Sequence, residues 1–230
     1  SPWNFSLVAA IKKGGRVRWC TDWRSLNRKT VKGEHETSMQ NNNKTSRDVN
    51  NRPPDRHPIG DCNANLARLG KSRIFSCLDA MGAFHCIPMR EEDKEKTSFS
   101  TPFGSYQFKM MGFGLCNAPS TYARLVHLVL RGIPPSVALP FLDDLVVQGS
   151  NVQEHLDALE QVFKAYRRSR LRLNPAKCFL FQKTVTYLGF KVSQSGLEPT
   201  DDYIRVVKDW PMPRTRRALR GYIGKVSYYR

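Results

Sequence analysis

Residues 140–147 read PFLDDLVV, an apolar run with two adjacent aspartates, Asp143 and Asp144, at its centre. A buried strand tolerates this pair badly. Each carboxylate loses hydration on burial, and the two charges repel. A fold containing this segment must bend the chain there, supply cations there, or both. Asp79 lies 64 residues before Asp143, at the end of a second apolar run, SRIFSCLDA, which reads as a buried strand. If the two runs are neighbours in one sheet, three carboxylates meet at its edge. Oxygen-rich sites of this kind suit Mg²⁺, which also keeps room for water and substrate phosphates. Two such ions activate an attacking hydroxyl and stabilise a leaving oxyanion in phosphoryl transfer. An acidic hairpin turn is the competing reading, because Asp is common in turns.

Charge points the same way as the carboxylates. The 230 residues carry a formal charge of +17 and a pI near 9.9, an imbalance that favours a polyanionic partner. No apolar run approaches the roughly 20 residues that span a bilayer, so no membrane partner is expected. Six cysteines (Cys20, Cys62, Cys77, Cys86, Cys116 and Cys178) form no CxxC pair, and most sit in apolar stretches. The pattern predicts buried free thiols in a reducing compartment rather than structural zinc. No secretory signal is visible. The chain does not begin with Met and ends on SYYR inside a helical pattern, as a segment of a longer polypeptide would.

Hydrophobic periodicity outlines an α+β plan. Val8 to Trp23 reads as a hairpin, turned at KGGR, with Arg18, Cys20 and Asp22 on one face. Residues 32–53 are polar and Asn-rich, which predicts a disordered surface insert. A short helix is expected to end at Gly70, the Asp79 strand follows, and FHCIPM continues extended. TSFSTPFGSYQFKMM predicts two strands around Phe103 and Gly104. A helix is expected from Asn117 to Arg131, stopped by Gly132, with Tyr122, Leu125, Val126, Val129 and Leu130 inward. VALPFLDDLVV predicts a hairpin bent at the aspartates. A second helix, Gln153 to Arg168, places Leu156, Leu159, Phe163 and Tyr166 on one stripe. VTYLGFKVS reads as a strand pair, and two helical segments separated by WPMPR follow Thr200.

Several ordered stretches together resemble the reverse transcriptase domain of gypsy-type LTR retrotransposons and their retroviral relatives. They are SPWNFSLVAAIKKGGRVRWCTDWRSLNRKT, RHPI, FSCLDAMGAFHCIPMREEDKEKTSFSTPFGSYQFKMMGFGLCNAPSTY, PFLDDLVV and NPAKCFLFQKTVTYLGFKVSQSGLEP. The likeness covers nearly the whole chain outside the insert. It implies a right-hand polymerase with an antiparallel-sheet palm. Residues 1–31 would be a partial fingers hairpin, 32–53 the insert, 54–199 the palm and remaining fingers, and 200–230 the truncated start of the thumb or connection helices.

The same resemblance implies roles residue by residue. Asp79 and Asp143 match the principal ligands of two Mg²⁺ ions, with Mn²⁺ as a substitute. Asp144 completes the triad, and the carbonyl of Ala80 would lie by the nucleotide's metal. Phe84 matches the ring that stacks under the incoming sugar and excludes a 2′-OH. Lys12, Lys13 and Arg18 would clamp the triphosphate, and Phe113 would lie against the nucleotide. Lys177 matches a lysine that protonates pyrophosphate. Asp22 and Arg24 fall near the template, or pair with one another. Phe141 and the Tyr187–Gly189 turn would hold the primer end. The implied partners are an RNA or DNA template, a DNA primer and dNTP. The implied context is a polyprotein with ribonuclease H, integrase and protease, in a cytoplasmic particle or the nucleus.

Four departures stand out. Phe141 replaces the usual Tyr of the aspartate box, Gly112 replaces a Pro, Cys86 replaces a Gln, and about 22 residues are inserted at 32–53. A non-catalytic nucleic-acid-binding remnant of a decayed element is therefore the alternative to a DNA polymerase. A metal-dependent nuclease using the same carboxylates is a third reading.

Overall fold

The computed structural model describes residues 2–11, 15, 17–31, 62–69 and 72–228. The insert at 32–53, Lys12, Lys13 and the side chain of Arg18 lie outside the described residues. In chain order, β1 (Leu7–Ile11) and β2 (Val17–Thr21) form an antiparallel hairpin with Ile11 opposite Val17. Trp23 is not part of β2, as the sequence had led one to expect, but precedes a short helix α1 (Arg24–Lys29). Helix α2 (Cys62–Leu69) leads to β3 (Ile74–Asp79). Helix α3 (Glu91–Lys94) precedes a small hairpin of β4 (Phe99–Thr101) and β5 (Gly104–Tyr106). Helix α4 (Ala118–Val129) is followed by β6 (Ala138–Phe141), β7 (Asp144–Gly149) and helix α5 (Val152–Arg168). The chain continues through β8 (Phe179–Gln182), β9 (Thr184–Tyr187), β10 (Phe190–Ser193) and β11 (Gly196–Pro199) to helices α6 (Asp201–Lys208) and α7 (Arg216–Ser227).

The central sheet is antiparallel, in the order β6-β7-β3-β8. Both faces of β6, β7 and β3 are covered, so these strands read as near-continuous apolar runs, while the edge strand β8 is exposed. On one face Leu78, Leu145 and Val147 pack against Tyr122 and Val126 of α4 and Leu159, Val162 and Tyr166 of α5. On the other, Phe75, Leu139 and Val146 meet Leu66 and Leu69 of α2 and Val185, Tyr187 and Val192 of the three-stranded sheet β9-β10-β11. The alternation follows from the two-residue period of a strand.

Three further expectations need correction. FHCIPM does not continue extended: Gly82 at φ +65° turns the chain into a 3-10 turn over Ala83–Cys86. The inward stripe of α5 is also displaced. Leu156 and Phe163 are exposed, while His155, Ala158, Leu159, Val162, Ala165 and Tyr166 are buried. Small alanines let the helix backbone sit close to the sheet, and a histidine completes the face. Hydrophobicity alone ranks neither residue type as core. The five described cysteines are free thiols, but half-buried rather than fully buried.

His155 explains itself through its partners. Its ring is fully buried, and its Nε2 lies 2.7 Å from the Ser76 hydroxyl. That hydroxyl also accepts from the Phe181 N–H at 3.1 Å, at the irregularity where β8 loses register with β3. Burial holds the imidazole below its ordinary pKa, so the folded state keeps it neutral. Above pH 6.5 both folded and unfolded forms are neutral and no cost arises. As pH falls below 6.5 the unfolded chain takes up a proton that the folded chain refuses. Stability should therefore fall with decreasing pH, by up to about 1.4 kcal/mol per pH unit, until the lower folded pKa is reached. Denaturant unfolding across this range, with His155→Gln as the comparison, checks the assignment. A flat profile in the parent would reject it.

Candidate active site

The aspartates are placed by one register. Asp79, the last residue of β3, pairs with Asp144, the first residue of β7. Phe141 pairs with Asp144 to close the β6–β7 hairpin, leaving Leu142 and Asp143 as a two-residue loop. Leu142 sits at φ +51°, in the left-handed region that a leucine rarely adopts. The Ala80 N–H donates to the Asp143 carbonyl at 3.2 Å, which ties the loop to the end of β3. Hence the segment both bends and collects carboxylates. The turn reading and the cluster reading are not exclusive.

Asp144, on the strand, and Asp143, on the loop before it, act on different sides of the sheet. Asp144 lies on the β9 side, in a groove of about 430 Å³ lined by Cys77, Asp79, Lys177, Thr184 and Tyr187 among others. Loss of hydration, then the Asp79 charge, pushes the Asp144 carboxyl above its ordinary value, while Lys177 pulls it back. Asp143 acts on the α4 side. Burial, then the Tyr166 phenol and the Asp143 carboxylate, holds the Tyr122 phenol far above its usual range, with Asp79 a smaller contributor. Asp79 is thus coupled to both neighbours. Among the described residues, no three His, Cys, Asp or Glu side chains form a ready-made metal cage. The donor set, all hard carboxylate oxygen with raised proton affinity at Asp144, still suits Mg²⁺.

A lysine sits beside the acidic edge. After α5 the chain returns across the site: Asn174 N–H donates to the Asp79 carbonyl at 2.9 Å, and Met81 N–H donates to the Arg172 carbonyl at 2.8 Å. The following 3-10 turn, Pro175–Lys177, brings Lys177 Nζ to 3.0 Å from Asp79 Oδ1. The lysine side chain is 64% exposed and the aspartate 18%, so the pair is open to solvent on one side.

Phe84 rises from the 3-10 turn and is braced by two rings. Phe113 lies edge-on at 5.2 Å and Tyr122 at 5.8 Å. Sequence reasoning missed what holds Phe113. The buried Trp23 indole N–H donates to the Phe113 carbonyl at 2.8 Å, ninety positions away. The Asn27 side chain donates to the Gly114 carbonyl at 2.9 Å and accepts from the Cys116 N–H at 3.0 Å. Gly114 has φ +88°, and a Cβ there would come within 3.2 Å of the Trp23 ring. Trp23 and Asn27 therefore clamp the loop. The available signal was the WRSLN spacing, which puts a large polar-tipped ring and an amide one helical turn apart.

Other expected site residues fall into two groups. Asp22 and Arg24 pair with each other through hydrogen bonds of 2.6 to 3.0 Å. The Arg24 guanidinium holds the Asp22 carboxyl down at about 2. Phe141 is half-buried against the core beneath the second face of the sheet. Tyr187 is buried, so its side chain is core, and its hydroxyl reaches towards the Leu139 carbonyl at 3.5 Å. Leu188 and Gly189, at φ +52° and +81°, form the half-buried tip of the β9–β10 hairpin, with Leu188 packed against the core. That tip is tied to the C-terminal helices: Thr200 N–H donates to the Gly189 carbonyl and the Tyr228 hydroxyl to the Leu188 carbonyl.

Comparisons with known proteins converge on one family. The model of the family described as "Reverse transcriptase (RNA-dependent DNA polymerase)" matches residues 11–192. The chain is 34% identical over its whole length to the retrovirus-related Pol polyprotein from transposon 297 of Drosophila melanogaster, of which it spans 20%. It is 38% identical over 76% of its length to the corresponding polyprotein from transposon 412 of the same organism, of which it spans 14%. Among solved structures, the foamy viral protease-reverse transcriptase in complex with dsDNA matches 98% of this chain and 42% of its own, with a TM-score of 0.76 and 22% identity. The fold is therefore that of a polymerase palm with attached fingers. The chain belongs to the reverse transcriptase (RNA-dependent DNA polymerase) family.

Proposed function

We infer that the chain is the polymerase segment of a retrotransposon Pol polyprotein, copying RNA or DNA templates into DNA. The observation that carries this reading is the pairing of Asp79 with Asp144, with Asp143 on the adjoining two-residue loop. Asp79 and Asp143, with the Ala80 carbonyl, would hold the divalent cations, and Asp144 would support them. When bound, Mg²⁺ or Mn²⁺ supplies a lowered pKa for the primer hydroxyl and charge neutralisation at the leaving oxygen.

The remaining roles fall to the chain itself. The primer 3′-hydroxyl gives up its proton to solvent as its oxygen bonds to the α-phosphorus of dNTP and the bond to pyrophosphate breaks. Lys177, close enough to Asp79 to bridge the acidic edge and an incoming phosphate, donates the proton that pyrophosphate needs. The braced Phe84 ring lies under the sugar and leaves no room for a 2′-hydroxyl. Lys12, Lys13 and Arg18 supply positive charge to the triphosphate from the β1–β2 hairpin, and the Leu188–Gly189 tip supports the primer. Ribonuclease H, integrase and protease complete the proposed polyprotein, working in a cytoplasmic particle or the nucleus.

A second reading, a binder without catalysis, rests on the departures from the family pattern, among them Phe141 in the aspartate box and the insert at 32–53. One experiment separates the two. Primer extension by the polyprotein-derived enzyme is measured with Mg²⁺, with Mn²⁺ and with chelator. The polymerase reading expects extension on RNA and DNA templates that chelator abolishes. Duplex binding with no extension under any condition would favour the binder.

A further inference from the structure

A second groove, of about 600 Å³, lies between the ends of α4 and α5 and shares no residue with the acidic groove. Arg131 and Ile133 line it from the α4 side, and Gln161, Lys164, Arg167 and Arg168 from α5. We propose that this groove is an accessory site for the phosphate backbone of single-stranded nucleic acid, holding template not yet copied.

Four cations face one concavity. Among the described residues, no carboxylate forms an ion pair with Arg131, Arg167 or Arg168. Lys164 pairs with Glu160 at 2.8 Å, but both side chains are about two-thirds exposed, and such a pair holds its lysine weakly. One basic residue per helix end would satisfy the partial negative charge of the two C-termini. The cluster exceeds that need, and crowding like charges is unfavourable unless a polyanion neutralises them. Gln161, Lys164 and Arg168 recur at helical spacing, so they form a ridge about 10 Å long on one face of α5. Arginine forks match phosphate oxygens in pairs. Among the described residues no aromatic lines the groove, so bases have no ring there to stack on and recognition is independent of sequence.

The position fits an unpaired strand. Arg168 is followed by Arg170 and Arg172, both exposed, and the next residue, Leu173, bridges to Ala80 beside Asp79. Four residues separate Arg168 from Leu173, a span of at most about 18 Å. A basic track therefore joins the groove to the acidic edge. The inference rests on the polymerase reading only for the identity of the polyanion.

The test uses the polyprotein-derived enzyme and two labelled primer–templates, one with a single-nucleotide overhang and one with a long unpaired oligo(U) extension. The Arg131→Gln/Arg167→Gln/Arg168→Gln variant should bind the long extension roughly tenfold more weakly and lower its log–log salt slope by about 2. Binding and extension of the short-overhang substrate should stay unchanged. The corresponding triple Arg→Lys variant, which keeps the charge, should lose less affinity. Equal losses on both substrates, no loss on either, or loss of polyglutamate binding with oligonucleotide binding intact would each overturn the proposal. Failure of the unaltered enzyme to extend the short-overhang substrate would instead sink the polymerase reading, while the binding comparison would still decide this one.

Discussion

Replacing Asp143 by Asn is expected to cut primer extension by roughly 10³-fold, the loss that follows removal of one preorganised charge from a reacting centre. Asparagine keeps the shape of the side chain and removes one negative charge. The β6–β7 loop should survive, because its tie to β3 is the Asp143 backbone carbonyl accepting from Ala80, which the substitution leaves in place. Primer–template binding should also persist, since the basic residues are untouched. Lys177→Ala makes the informative contrast. Its Nζ contacts Asp79 from a largely exposed position, so its removal should slow the reaction less and leave cation dependence unaltered. Steady-state extension with a binding measurement on the same preparations resolves these effects. Wild-type extension by the Asp143→Asn enzyme would reject the two-metal reading outright.

Gly149→Ala should produce the largest loss of stability from a single methyl group. Gly149 ends β7, is buried, and accepts through its carbonyl from the Arg73 N–H. A Cβ there would stand 2.9 Å from the Cα, Cβ and N of His155. These are mainly backbone atoms in the first turns of α5, so no side-chain rotation relieves the clash. The helix must shift away from the sheet, opening contacts around Ala158, Leu159 and Val162. Overpacking of this kind costs about 3 kcal/mol. In a domain of this size that lowers Tm by roughly 6–12 °C. The Ser76–His155 contact moves with the helix, and Ser76 lies on the same strand as Asp79. Thermal unfolding of Gly149→Ala beside Gly132→Ala, where a Cβ meets nothing but the backbone sits at φ +92°, separates steric from conformational cost. An unchanged Tm in Gly149→Ala would mean that α5 yields without losing its packing.

Much of this was legible in the chain because it is local. The apolar period of α4 placed Tyr122, Val126 and Leu130 inward, and they are buried. PFLDDLVV predicted its own hairpin, since two charges cannot continue through a sheet interior. The inward face of α5 was misplaced because its closest contacts are made by alanines and a histidine, which carry little hydrophobic signal. Strand β8 escaped notice because it joins β3 irregularly and leaves Phe179, Leu180 and Phe181 exposed. Arg24 and Asp22 were read as template contacts or as a pair, and here they pair. Tyr187 was read as part of a primer-holding turn; its ring is core, and the Leu188–Gly189 tip beside it is half-buried.

The amino-acid sequence by itself determined which groups are available for the proposed chemistry: three carboxylates in two apolar runs, a lysine after α5, and a positive charge suited to nucleic acid. Those are matters of composition and short-range pattern, which a linear chain records. Tertiary structure alone decided how they are shared. The antiparallel register of β3 and β7 sets Asp79 opposite Asp144, and the β6–β7 loop brings Asp143 near Tyr122 while Asp144, on the strand, lines the β9 groove. It also decided that Trp23 and Asn27 hold the Phe113 loop from about ninety positions away. Such contacts depend on packing between distant segments, and no local period encodes which of them will meet.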